Sequence, residues 1–82
     1  MTDEELNTTR RRLEAMAVRA RNNASYEADS CARALRDLDL TNTEAGTARS
    51  QAERLAQAST ALTGHLSALE AYEVALIMLE EQ

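Results

Sequence analysis

The chain has 82 residues, a formal net charge of −5, no Pro, Phe or Trp, two Gly and one Cys. That length excludes more than one domain, and a single core of this size supplies only about 3 to 5 kcal/mol unless self-association adds to it. The acidic balance argues against sequence-independent DNA binding, which needs a basic footprint, while leaving room for a local basic site.

Ala, Leu, Glu and Arg dominate, the composition of long helices rather than of sheets, so the fold class is all-α. All nine positive charges are Arg, which points to a GC-rich coding genome, bacterial or bacteriophage. The lone Cys31 has no intramolecular disulfide partner. The opening MTDEEL is acidic where a signal peptide would be basic and then apolar, so the expected location is the cytoplasm of a bacterial cell, or of the host if the chain is phage-encoded. Asn7-Thr8-Thr9 and Asn23-Ala24-Ser25 match the glycosylation pattern without an export signal to give it meaning. No run reaches the ~18 apolar residues of a membrane span, and Glu70 and Glu73 interrupt the apolar stretch 69–79, so no membrane partner is expected.

Helix one is expected over about 3–38, with Asp3, Glu4 and Glu5 complementing its positive N-terminal dipole. Leu13, Ala17, Ala20, Ala24, Glu27, Cys31, Ala34 and Leu38 recur at alternating spacings of four and three, a heptad seam. A rival organisation breaks this helix at Arg21-Asn22-Asn23-Ala24-Ser25 and yields three helices, since Asn-Asn is a plausible turn. The seam runs through that stretch in unbroken phase, which favours one helix.

A turn follows over about 39–43, in DLDLTNTEAG, where Asp, Thr and Asn hydrogen-bond local backbone. Thr41 with Glu44 fits a capping box, so helix two is expected over about 44–80. Its seam is read as Ala45, Ala48, Ala52, Leu55, Ser59, Leu62, Leu66, Leu69, Glu73, Leu76 and Glu80. The period of 3.5 predicts left-handed supercoiling, and the short turn makes the helices antiparallel. Gly46 and Gly64 are weak points within helix two.

Folding about residue 41 sets Ala17 against Leu66, Ala20 against Leu62, Ala24 against Ser59 and Cys31 against Ala52, so that small meets large. The same register sets Leu6 against Leu76, Arg10 against Glu73 and Glu27 beside Arg54, two charged layers that fix alignment more than they stabilise. The result is a coiled-coil-like hairpin with an Ala-rich seam. One stripe per helix is used, and LEAYEVALIML (69–79) carries a second. Tyr72, Val74, Met78 and Leu79 are therefore expected to form an interface with another copy, giving a helical bundle by dimerisation or a larger symmetric oligomer.

Chemistry-bearing candidates are few. His65 is a lone histidine without further ligands at metal spacing, so no metal or other cofactor is expected. Cys31 lies too far along the hairpin from His65 to form a dyad. Glu70 with Glu73, and Glu80 with Glu81, read as a solvated acidic face, and no phosphate-binding Gly-rich loop or Ser-His-Asp group can be assembled. The charge concentration that folding does not explain is Arg10, Arg11, Arg12, Arg19 and Arg21. Arg11, Arg12, Arg19 and Arg21 are the candidate partner-binding or ligand-binding face, since Arg matches carboxylate and phosphate geometry.

Three function classes follow. The first is a non-enzymatic adaptor or inhibitor type of regulator that oligomerises and binds another protein. The second is an oligomer sequestering a nucleotide or other anionic ligand through its Arg cluster. The third is a nucleic-acid binder using the same face, which the lack of interleaved aromatics weighs against.

Overall fold

A computed structural model describes residues 2–81. Two antiparallel helices, α1 (Asp3–Asp37) and α2 (Ala45–Glu80), pack along their lengths. α1 is unbroken through Asn22 and Asn23, both of which face solvent, so the three-helix alternative is not what forms.

The start of α1 is fixed by a reciprocal cap. The Glu5 backbone N–H donates to Thr2 Oγ1 at 3.2 Å, and the Thr2 N–H donates to Glu5 Oε2 at 3.4 Å. Two of the orphan donors of the first turn are thereby satisfied, and Asp3, Glu4 and Glu5 add negative charge at the positive end of the helix dipole. The expected cap at Thr41 and Glu44 does not form: α2 begins at Ala45 behind Glu44, with no side-chain cap. Asp39 takes the organising role instead. Its carboxylate accepts from the backbone N–H groups of Thr41 and Asn42 and from the Asn42 side-chain amide, at 3.0 to 3.3 Å. These bonds hold the Asp39 carboxyl below its ordinary range, the Asn42 side chain contributing most.

In α1 the expected seam is the one that packs: Leu13, Ala17, Glu27, Cys31, Ala34 and Leu38 are half-buried, and Ala20 and Ala24 are buried. α2 corrects the reading in half of its positions. Ala48, Leu55, Leu62, Leu69 and Leu76 face α1 as expected, but their companions are Gln51, Ala58, His65, Tyr72 and Leu79. Ala52, Ser59, Leu66, Glu73 and Glu80 lie outside the seam, exposed. The reason is electrostatic. The expected phase would press two carboxylates, Glu73 and Glu80, into the seam, where an ionised group loses its hydration. The observed phase buries Tyr72 and Leu79 there, and leaves Leu66 in water as the consequence.

The register moves accordingly. Arg21 Nη2 meets Glu73 Oε1 at 3.0 Å, and Met16, Ala20 and Asn23 share one hollow with His65, Ala68 and Tyr72. Matching the two seams through these anchors sets Ala17 opposite Tyr72, Ala20 opposite Leu69, Ala24 opposite His65 and Leu13 opposite Leu76. Each partner is displaced by six or seven residues from the expected pairing, about 10 Å at 1.5 Å per residue. The expected pairs Arg10 with Glu73 and Glu27 with Arg54 do not occur: Glu73 binds Arg21, and Arg10 donates to Asn7 Oδ1 at 3.3 Å.

The overall length gives an independent check on this stagger. Helices of 35 and 36 residues are each about 53 Å long, whereas the longest extent is 62 Å. The ends are therefore offset by about 9 Å, or six residues. The first turn and a half of α1 overhangs the end of α2, and α2 begins beyond the last turn of α1, with the loop running back beside it.

Small meets large along this seam, which lets the backbones approach closely in the middle. The buried core consists of Ala20, Ala24, Leu69 and Leu79, all with some residual exposure. Near the turn, Gln51 Oε1 is buried without a hydrogen-bond partner among the described residues.

Candidate interaction surface

Large apolar side chains remain in water along the second half of α2: Leu66 is 48 % exposed, Val74 50 %, Ile77 56 % and Met78 60 %. Of the four residues expected at an oligomer interface, Val74 and Met78 are on this outer side. Leu79 is buried against α1 and Tyr72 is half-buried in the seam, because the seam phase needs them. Ile77 and Leu66 take their places outside, a shift that only the phase of α2 reveals.

The hydroxyls of α2 do not break the apolar character of the helix. Ser50, Thr60 and Thr63 each donate to the backbone carbonyl four residues earlier, at 3.0 to 3.2 Å, which satisfies them locally. By length and composition α2 is apolar enough to cross a membrane, its most apolar 18 residues averaging a mean hydropathy of 1.2. Two stripes on opposite sides, one packed on α1 and one in water, produce the high average.

The arginines are distributed over several surfaces. Arg21 is paired with Glu73, both side chains at least half exposed. Arg12 lines an open depression with Thr2, Glu4, Glu5, Thr8 and Thr9 on the overhanging first turns of α1. Arg19 lies on the rim of a smaller hollow of about 160 Å³, floored by Ala20 and Ala68 between Met16, Asn23, His65 and Tyr72. Arg11 is exposed on a different side. Arg12 and Arg19, one heptad apart, share a face; Arg11 and Arg21 belong to another.

Cys31 is free and half-buried. In the observed register it lies opposite Ala58, one heptad from His65, or about 10 Å along the axis. This is half the expected separation and still beyond contact. Among the described residues no group of three or more His, Cys, Asp or Glu side chains is placed to hold a metal ion. Compared with protein-family models, curated proteins and solved structures, the chain gives no match.

Proposed function

We propose that this chain is a non-enzymatic helical interaction protein that assembles with itself through the outer side of α2 and acts by occupying a surface on another macromolecule, in the manner of an adaptor or inhibitor. The observation that carries the reading is the exposure of Leu66, Val74, Ile77 and Met78 on a hairpin that, among the described residues, has no fully buried large side chain. Each of these is about half exposed, so covering it contributes around 1 kcal/mol, half of the value for full burial. Contributed by both copies, that is a substantial addition to so thin a core.

The division of the arginines favours a protein partner over a single enclosed anion. Arg12 and Arg19 point outward from one face of α1, spaced to meet acidic groups on a second helix or an extended surface. The test of the assembly is Val74→Glu with Ile77→Glu. The variant stays helical by circular dichroism and loses self-association. Unchanged assembly in this variant would remove the surface from the proposal, and partition of the wild-type chain into neutral lipid vesicles would show that α2's apolar side meets lipid instead.

A further inference from the structure

The side of the hairpin marked by the Arg21–Glu73 pair carries one exposed stripe from each helix. On α2, Leu66, Glu70, Glu73, Ile77 and Glu80 recur at spacings of four and three, all exposed. Beyond Arg54 this helix holds no Arg or Lys, so its apolar stripe is framed by acids alone. On α1, Arg11, Glu14, Val18, Arg21, Ala28 and Leu35 fall on the matching stripe, also exposed, with Val18 at 58 % and Leu35 at 61 %. One helix presents apolar residues framed by three carboxylates and the other presents apolar residues with two guanidinium groups and one carboxylate, so the two stripes of this side carry opposite net charge.

Resting on the self-association reading above, we propose that two hairpins pair by this side about a twofold axis parallel to their long axes, so that α2 of each copy lies antiparallel to α1 of the other. A dyad in that direction preserves height, so each residue of α2 faces the α1 residues that stand at its own level within the hairpin. In the observed stagger, Glu80 then stands level with Arg11 of the second copy and Glu70 with Arg21 of the second copy. Leu66 and Ile77 are covered at the same time. Arg21 has five N–H donors and keeps Glu73 within its own chain while reaching Glu70 across the dyad. A dyad perpendicular to the hairpin would carry the open end of one copy to the turn end of the other and separate these charges. The arrangement is closed and isologous, with no repeat left over to propagate a fibre, and Arg12 and Arg19 stay outside it.

Charge reversal on each side tests the pairing. One chain carries Glu70→Arg and Glu80→Arg, making both stripes basic, and another carries Arg11→Glu and Arg21→Glu, making both acidic. At about tenfold above the wild-type dissociation constant, neither variant is expected to dimerise alone, while an equimolar mixture forms a one-to-one dimer of both. Self-assembly of the Arg11→Glu, Arg21→Glu chain would mean that α2 pairs with α2, and would overturn the proposal while leaving self-association standing. A monomeric wild type would instead overturn the reading on which the proposal rests. If a reversed chain fails to fold, a Cys31→Ser background with Ala28→Cys and Thr63→Cys, level with each other on this side, is expected to oxidise to a covalent dimer. A product of monomer mass only would overturn it.

Discussion

Replacing Ala24 by Leu tests the close approach of the two helices at the least exposed of the buried seam positions. Ala24 is 6 % exposed and stands opposite His65, with Ala20 one turn away. A Leu there adds three carbons, each worth about 0.8 kcal/mol if buried without strain, but forcing extra methylenes into a packed seam costs about 1 to 3 kcal/mol net. For a domain of this length 1 kcal/mol moves the melting temperature by about 4 to 8 °C, so the expected loss is roughly 4 to 24 °C. The assay is thermal unfolding followed by circular dichroism at fixed protein concentration, because assembly makes the transition concentration-dependent. Ala15→Leu, on an exposed position of the same helix, is the control and shifts stability by no more than about 0.5 kcal/mol. Ala20→Leu costs less than Ala24→Leu, since the hollow beside Ala20 gives the larger side chain room. An equal or higher melting temperature for Ala24→Leu would refute the close approach and the seam phase that requires it.

Three further outcomes follow from particular residues. Leu79→Ala truncates a side chain buried against α1 and is expected to cost about 2 to 5 kcal/mol in denaturant unfolding, whereas a cost near zero would return Leu79 to the outer face. Gly64→Ala adds a methyl group with nothing within 4 Å of it inside α2, and should raise stability by about 0.5 to 1 kcal/mol in thermal melts; a decrease would mean that the site is crowded. Because Asp39's hydrogen bonds lower its pKa below the ordinary 3.8, its contribution is present above that pH and is lost as pH falls through the folded-state value. Melts between pH 6 and pH 2 should therefore show a smaller acid loss for Asp39→Asn than for the wild type, and parallel curves would mean that the turn bonds do not form.

What was legible in the sequence divides along the two helices. The phase of α1 was readable because its seam is apolar at every position but Glu27 and carries no arginine. In α2 two phases share Ala48, Leu55, Leu62, Leu69 and Leu76, and the choice between them turns on burying Leu79 with Tyr72 or Leu66 with two glutamates. Weighing the hydration of Glu73 and Glu80 would have decided it. The register error followed from that phase, since pairing by size alone finds a small partner for a large residue at more than one alignment of an Ala-rich seam. The Thr2–Glu5 cap is a plain T-x-x-E signal at the chain start, whereas the similar pattern at Thr41 yields to Asp39, whose carboxylate claims the Thr41 and Asn42 N–H groups first. For the interaction surface, the sequence showed that a second apolar stripe exists, and the fold showed which residues are left to form it.

Sedimentation equilibrium of the wild-type chain over a micromolar dilution series tests the central claim most directly. Assembly through the outer side of α2 predicts a concentration-dependent mass rising to twice 9.0 kDa, with the Val74→Glu, Ile77→Glu variant remaining at the single-chain mass. A wild-type chain that is folded and stays at 9.0 kDa throughout would contradict it.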